Sequence, residues 1–178
     1  MPASSSPSLL ISGTIDTPIG PLTLIADEAG MLHMAEFSHC LDRMERWLGR
    51  RLGKDRAKLE AGNVPGSVED AFAAYFGGDV GAIRGLAVWL TGTAFQNEVW
   101  TALRDIRPGE TFSYGMFADG LGRPQSARAV GHANGANPLS IVVPCHRLVG
   151  ADGALTNYGG GIERKRWLLD HEARHANR

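Results

Sequence analysis

The stretch SYGMFADGLGRPQSARAVGHANGAN, residues 113–137, predicts two short helices separated by a tight turn. We place the turn at Gly122-Arg123-Pro124, because glycine and proline are the strongest local interruptions of a helix. The second helix is predicted to end at Gly135-Ala136-Asn137. This arrangement has the outline of a helix-turn-helix.

The second of these helices carries small residues where a globular helix often carries bulky ones. They are Ala127, Ala129, Gly131 and Ala133. A surface so shallow can lie close against something broad. Tight packing against another helix requires small residues for the same steric reason, so both interpretations stay open from this helix alone.

The next stretch, IVVPCHRLVG at residues 141–150, predicts a buried strand that stops abruptly. Ile141 to Val143 are β-branched, and Pro144 has no N–H with which to continue a sheet. Cys145 is therefore predicted at a strand end, beside an imidazole and a guanidinium that can favour a thiolate. The alternative is that Cys145 is a small buried hydrophobic residue.

A nucleophile and base in this arrangement need a third group to orient the imidazole of His146. Glu172 and Asp170, in the helix predicted near the C-terminus, are the downstream candidates. Because Cys145 and His146 are adjacent, their side chains would point to different sides of an extended chain, and a water would have to bridge them.

Upstream, three short apolar runs broken by turn residues between residues 9 and 37 predict antiparallel strands. Two helices are predicted after them, the second with Ser67 as its cap, and a third behind the cap Thr93 and ending at Arg107-Pro108-Gly109. The predicted fold is α+β. An N-terminal α/β domain, an antiparallel sheet plus helices, spans residues 1–91, and a mostly helical C-terminal domain with the helix-turn-helix spans residues 92–178.

Composition limits the function classes. The chain has 178 residues, of which 43% are apolar and 21% charged, as expected of a globular protein. Residues 1–10 predict a frayed tail, and the sequence lacks the roughly 18 consecutive apolar residues of a membrane span. Two cysteines suit a reducing compartment, so we expect a cytoplasmic location and a free Cys145. His33, His39 and Cys40 lack a fourth ligand for zinc, and no metal is expected.

The net charge of −1 conceals an asymmetry between the two halves. Residues 1–100 carry 8 Lys and Arg against 12 Asp and Glu, whereas residues 101–178 carry 10 against 7. This difference places a nucleic-acid-binding surface in the second half, if the chain has one. An ordinary solvated surface of mixed charge is an equal alternative.

From Phe95 to Glu172 the chain closely resembles the O6-alkylguanine-DNA alkyltransferases. The matching segments are FQNEVWTALRDIRPGET, SYGMFADGLGRP, ARAVG, the pair Asn137-Pro138, PCHR, Tyr158 with its glycines, and Lys165, Leu168, Leu169 and Glu172. Residues 1–90 resemble the family's N-terminal domain only in outline.

The resemblance implies a role for each matching residue. Cys145 would accept the alkyl group, with His146 as base through a water and Glu172 orienting the imidazole. Asn137 would brace the active-site turn, and Tyr114 would help rotate the damaged nucleotide and bind its base. The product would be a thioether, which water does not easily cleave, so each molecule would act once and without a cofactor.

The implied partner is double-stranded DNA containing O6-alkylguanine, bound through the minor groove by a monomer. Arg128 would fill the space that the extruded nucleotide leaves. The implied DNA-binding residues are Arg128, Ala127, Ala129, Gly131, Tyr114 and Ser113. Activity on O4-alkylthymine and cooperative binding on DNA are left open.

The implied substrate pocket is lined by Leu148, Tyr158, Gly159, Gly160 and Ser140. Gly159 stands where several relatives have serine, so a side-chain donor to guanine O6 is lost. Ser140 stands where some relatives have proline, and we expect a smaller, less rigid residue there to admit bulkier alkyl groups.

Three other classes compete with alkyl transfer. A transcriptional regulator of the alkylation response would add a cysteine-rich zinc module, for which a chain this short with two cysteines has no room. A non-catalytic protein that binds alkyl lesions and recruits repair factors would use the same helix-turn-helix, but relatives of that kind lack the cysteine. A Cys-His-Glu hydrolase would leave the helix-turn-helix and Arg128 without a role.

Overall fold

The computed structural model describes residues 9–55 and 58–176, with the side chains of residues 51–55 outside that description. The elements in chain order are β1 (Leu9–Ile15), β2 (Leu22–Asp27), β3 (Leu32–Phe37), α1 (Leu41–Asp55), β4 (Lys58–Ala61), α2 (Gly66–Phe76), α3 (Ala94–Leu103), β5 (Phe112–Ser113), α4 (Tyr114–Gly120), α5 (Ala127–Gly135), β6 (Leu148–Val149) and α6 (Ile162–His175). Single 3-10 turns occur at Ala82–Gly85 and Cys145–Arg147. The fold is α+β, as predicted.

The N-terminal sheet has the strand order β3-β2-β1-β4. The three predicted strands pair antiparallel, but β4 adds to β1 in parallel, so the sheet is mixed. The prediction of a purely antiparallel sheet is wrong at this edge. Strand β4 carries the sequence KLEA, which has too little apolar character to be recognised as a strand.

Two layers cover the sheet. The smaller cluster packs α1 against one face, around Leu10, Ile25 and Met34. The larger cluster covers the other face and runs without interruption from β2 and β3 through α2 and α3 to α5 and α6. The C-terminal helices therefore pack on the N-terminal sheet through one hydrophobic core.

The edge of β3 connects the sheet to the second half of the chain. The amide of Ala35 donates to the carbonyl of Pro138 at 2.9 Å, and the amide of Ser140 donates back to the carbonyl of Ala35 at 2.8 Å. An edge strand has unpaired backbone groups, and here residues 138–140 satisfy those of Ala35. This pairing fixes the loop that leads to Cys145.

Helices α4 and α5 form the predicted helix-turn-helix, and α3 packs against α5. Thr93 caps α3 as predicted: its hydroxyl accepts from the amide of Gln96 at 3.2 Å, and the Gln96 side chain accepts from the amide of Thr93 at 2.9 Å. The helix ends at Leu103, earlier than predicted. Ser67 is not a cap, because α2 begins at Gly66 after Pro65.

The apolar run Ile141–Val143 is not a strand. It is a buried turn, in which the amide of Val143 donates to the carbonyl of Leu139 and the amide of Cys145 donates to the carbonyl of Val143. Ile141 has a φ of 74°, which is rare for a β-branched residue. Full burial explains the apolar composition that predicted a strand.

The predicted tail also needs correction, since Leu9 and Leu10 already belong to β1 and Leu10 is fully buried. Residues 1–8 lie outside the described part of the chain. No helix of the described residues has the length and apolar character needed to cross a membrane.

Candidate active site

Cys145 is the first residue of the 3-10 turn Cys145–Arg147, which follows the buried turn at Ile141–Val143. Only 6% of its surface is exposed. The tight turn brings Cys145 and His146 onto a non-extended backbone, so the expected opposition of their side chains on an extended strand does not apply. The thiol is free, as predicted.

His146 is fully buried and paired with Glu172 of α6. Its Nε2 lies 2.9 Å from Oε1 of Glu172. Asp170, the other candidate, is exposed on the same helix. The second ring nitrogen, Nδ1, is buried and has no hydrogen-bond partner among the described protein groups.

Glu172 is the centre of a buried ionic network. The guanidinium of Arg147 donates to both of its oxygens, at 2.7 and 2.9 Å, and the hydroxyl of Tyr75 in α2 donates to Oε1 at 2.8 Å. Burial opposes ionisation of Glu172, but His146 and Arg147 outweigh it and hold its pKa below the usual range. The carboxylate is therefore ionised at neutral pH.

The electrostatics of Cys145 differ from the prediction. Burial raises the pKa of its thiol; Asn137, Arg43 and Lys165 lower the pKa but do not outweigh burial. The adjacent guanidinium of Arg147 donates to Glu172 instead. The resting sulfur is therefore a neutral thiol, and the expectation that the neighbouring side chains favour the thiolate is wrong for the resting protein.

Asn137 holds the loop in front of Cys145. Its amide nitrogen donates to the carbonyl of Val143 at 2.9 Å, and its oxygen accepts from the amide of Leu139 at 2.9 Å. Asn134, at the end of α5, donates to the carbonyl of Cys145 at 3.2 Å. Two buried amides thus fix the backbone on both sides of the turn.

Tyr114 begins α4, and a Cβ added at Gly131 of α5 would lie 3.9 Å from its ring. Burial raises the pKa of its hydroxyl, which stays protonated at neutral pH. Lys165 is buried nearby and donates to the carbonyls of Leu148 and Thr156 at 2.6 and 2.7 Å. Burial lowers the pKa of Lys165 to about 8, against an opposing effect of Cys145.

The predicted pocket residues surround His146 and the β3 edge. The ring of Tyr158 meets His146 edge to face, with centroids 6.5 Å apart, while Leu148 in β6 is fully buried. Ser140 is also buried, and its hydroxyl donates to Glu36 of β3 at 3.2 Å. A Cβ on Gly160 would lie 2.6 Å from the ring of Phe37, so only glycine fits there.

Gly159 lies against Arg43 of α1. A Cβ at this position would come within 2.9 Å of the guanidinium carbon. Arg43 therefore occupies the space into which a serine side chain would project. Arg43 can adopt this position because residue 159 is a glycine and has no side chain.

The predicted DNA-binding residues lie along α5 and at the start of α4. Arg128 and Ala129 are exposed, and Ala127 and Gly131 are half-buried. Ser113 caps α4 by accepting from the amide of Met116 at 3.1 Å. The small residues do not form one face, because Ala133 is buried and its carbonyl accepts from Trp100 at 2.8 Å.

The histidines and cysteine considered for zinc are divided between two places. His33 is buried and stacks on Trp89, with ring centroids 5.6 Å apart, whereas His39 lies 3.5 Å from the sulfur of Cys40. Within residues 9–55 and 58–176, no three His, Cys, Asp or Glu side chains are grouped as metal ligands.

Comparisons with known proteins identify the family of the chain. Residues 94–174 match the family described as "6-O-methylguanine DNA methyltransferase, DNA binding domain". The methylated-DNA–protein-cysteine methyltransferase of Salmonella typhimurium is 47% identical over 163 residues, covering 92% of this chain and 95% of the relative. The chain belongs to this methyltransferase family. The protein of the same name from Mycobacterium bovis is 47% identical over 161 residues, covering 89% and 90%.

Solved structures extend the likeness to the whole fold. Mycobacterium tuberculosis OGT in complex with DNA has a TM-score of 0.74 at 41% identity, covering 93% of this chain and 94% of that one. The O6-methylguanine-DNA methyltransferase of the archaeon Pyrococcus kodakaraensis has a TM-score of 0.67 at 28% identity, covering 92% and 98%. The α+β architecture is thus shared across the family.

Sequence analysis assigned no role to several residues that touch the site. Tyr75, Glu36 and Arg43 come from the first half of the chain, and no local pattern connects them with Cys145. Lys165 was named only as a matching residue, but it lies three positions after Ile162 and three before Leu168, on the apolar side of α6. A lysine at such a position is buried only when its ammonium group is satisfied.

Proposed function

We propose that this protein removes the alkyl group from O6-alkylguanine in double-stranded DNA by transferring it to the sulfur of Cys145. Membership of the methylated-DNA–protein-cysteine methyltransferase family supports the reaction. The observation that carries the assignment to Cys145 is the adjacent His146, held by Glu172 at 2.9 Å with its other ring nitrogen buried and available.

The protonation of His146 follows from its partner. Because Glu172 is an ionised acceptor, Nε2 carries the proton and Nδ1 presents a lone pair. The thiol of Cys145 is neutral at rest, so it must lose its proton as it attacks. Nδ1 accepts that proton through a bridging water, and the Glu172 carboxylate stabilises the resulting imidazolium.

In the transfer step, a bond forms between Sγ of Cys145 and the alkyl carbon while the bond from that carbon to O6 breaks. The electron pair of the broken bond passes to the guanine, which needs a proton to leave as a neutral base. The hydroxyl of Tyr114 is the donor, and burial keeps it protonated. The product is a thioether, so each molecule acts once.

The guanine O6 lies within the base stack and must be extruded before a thiol can reach it. Arg128 and Tyr114 support this step, because Arg128 is exposed on α5 and Tyr114 lies against that helix. We assign α5 to the minor groove, where its exposed Ala129 lets the duplex come close.

We also propose that residues 1–91 support a catalytic domain spanning residues 92–178. Three contacts support this role: Tyr75 with Glu172, Ala35 with the 138–140 loop, and Arg43 with the carbonyls of Gly135 and Asn137. Each one orients a group next to Cys145 or His146.

The test is the intact mass of the protein after mixing with a duplex that contains one O6-methylguanine. The wild type should gain the mass of one methylene and saturate at one per molecule. Cys145→Ser should gain nothing. Cys40→Ser is the matched control, and it should gain the same mass as the wild type.

Peptide mapping would place the added group on Cys145. An unchanged mass despite tight binding to the lesion would overturn the proposal and favour a non-catalytic lesion-binding protein. Continued release of repaired DNA beyond one equivalent would exclude single use of the thiol.

A further inference from the structure

A cavity of about 840 Å³ lies between α1 and the helices of the second half. One wall is formed by α1, and the other includes Gly131, His132 and Gly135 of α5. Cys145 does not line it. The proposed chemistry makes no use of the α1 wall.

That wall is cationic. Arg43, Arg46 and Arg50 all line the cavity, because positions three and four apart share one side of a helix. Arg43 is paired with Glu36, its Nε lying 2.7 Å from Oε2. Among the residues that the structure describes, neither Arg50 nor the terminal nitrogens of Arg46 have an anionic partner.

The proximity of these cations destabilises the helix unless an anion binds between them. Arg46 and Arg50 are exposed and four residues apart, where like charges destabilise a helix by a few tenths of a kcal/mol. Seven of the eight Lys and Arg residues among the first 100 positions lie between Arg43 and Lys58. The first half is acidic as a whole, so its positive charge is concentrated in the segment from Arg43 to Lys58.

The opposite wall of the cavity adjoins the exposed side of α5, the helix assigned to the minor groove. His132 and Gly135 lie four and seven residues after Arg128, so all three share one side of α5. A DNA strand bound along this side must pass the cavity at the C-terminal end of α5. There it meets the guanidinium groups of α1.

We infer that Arg46 and Arg50 bind phosphate groups of the DNA, extending the DNA-binding surface from the helix-turn-helix onto α1. Guanidinium groups match phosphate oxygens in geometry and charge. The inference rests on the DNA binding in the proposed function and is independent of alkyl transfer. It differs from the sequence-based expectation, which placed any nucleic-acid-binding surface in the second half of the chain.

The test measures the affinity for an undamaged duplex as a function of salt, with the double variant Arg46→Ala/Arg50→Ala in the full-length protein. Each lost phosphate contact should reduce the slope of log K against log[salt] by about 0.9, so the slope should fall by about 1.8. The affinity at low salt should fall by about tenfold or more. Both residues are exposed in a helix, where alanine is well tolerated.

The matched control is Lys58→Ala/Arg84→Ala, which removes two exposed cations of the same half away from the cavity. Its slope should equal that of the wild type. The variant Arg46→Lys/Arg50→Lys should keep the wild-type slope, because lysine also neutralises a phosphate.

An unchanged slope for the alanine variant, or an equal fall for the control, would overturn the inference. If the wild type did not bind the duplex, the DNA binding on which the inference rests would itself be overturned. If methyl transfer failed but the salt slope of the alanine variant still fell as expected, the inference would stand and the proposed chemistry would be rejected.

Discussion

The guanidinium of Arg43 in α1 donates a hydrogen bond of 2.9 Å to the main-chain carbonyl of Asn137, which precedes the loop that leads to Cys145. The same group donates to the carbonyl of Gly135 at 2.8 Å and is paired with the buried carboxylate of Glu36. One side chain of the N-terminal half thus joins the end of α5 to the sheet edge.

Replacing Arg43 with alanine should therefore reduce stability and slow alkyl transfer. The change leaves Glu36 buried without its cation, and we expect a loss of about 1–2 kcal/mol because Arg43 is itself partly exposed. Urea unfolding measures the first effect, and the transfer rate constant at saturating DNA measures the second. Arg46→Ala, one turn later, should change stability by less than about 0.5 kcal/mol.

Introducing serine at Gly159 should act through Arg43. The new side chain would displace the guanidinium and should weaken its bonds to Gly135 and Asn137. Unfolding of Gly159→Ser, Arg43→Ala and the double variant gives a double-mutant cycle. We expect a coupling of about 1 kcal/mol, with the serine nearly harmless once Arg43 is gone. Strict additivity would show that the two positions do not interact.

Glu172→Gln should be strongly destabilising. The substitution keeps the shape but leaves Arg147, which is 2% exposed, without a carboxylate. Removing one partner of a buried ion pair costs about 3–5 kcal/mol. Asp170→Asn, on the exposed side of the same helix, is the matched control and should stay within about 0.5 kcal/mol. Equal losses for the two variants would contradict the network described here.

Stability should decline in mild acid because of His146. Burial lowers the folded pKa of this imidazole, so the unfolded chain binds more protons below its ordinary pKa of about 6.5. The free energy of unfolding should therefore fall as the pH drops below about 6.5, by up to about 1.4 kcal/mol per pH unit.

His146→Gln should lack this part of the pH dependence while keeping a donor to Glu172. A second fall should begin below about pH 4.3 in both proteins, because the pKa of Glu172 is depressed by its cationic neighbours. If His146→Gln showed the wild-type profile between pH 5 and 6.5, another histidine would be responsible.

Tyr114→Phe should slow transfer without weakening the fold. The ring would be kept, but the proposed proton donor to the leaving guanine would be lost. General acid catalysis contributes about 100-fold or more, so the rate constant at saturating DNA should fall by that amount. An unchanged rate constant with weaker DNA binding would show that Tyr114 acts only in holding the nucleotide.

The sequence predicted those parts of the site that depend on local patterns. The cap at Thr93, the two helices of the helix-turn-helix and the succession of Cys145 and His146 all depend on neighbouring residues. Ile141–Val143 misled the analysis because a buried turn and a buried strand have the same apolar composition. The positive φ of Ile141 depends on tertiary packing, which composition does not encode.

The contributions of Tyr75, Glu36 and Arg43 could not be predicted for a different reason. Each lies far along the chain from its partner, and Tyr75 and Glu172 are separated by 97 positions. Such contacts depend on how α2 and β3 pack against the second half. A single sequence reports the periodicity of each element but not which elements meet.

The low exposure of Cys145 affects how long its thiol stays unmodified. If the thiol is used once, as proposed, a reaction with an oxidant or a small electrophile before it meets damaged DNA would waste the molecule. Thiolates react with such compounds far faster than thiols do, and access controls the rate further. By keeping the sulfur protonated and 6% exposed, the fold protects it from such side reactions.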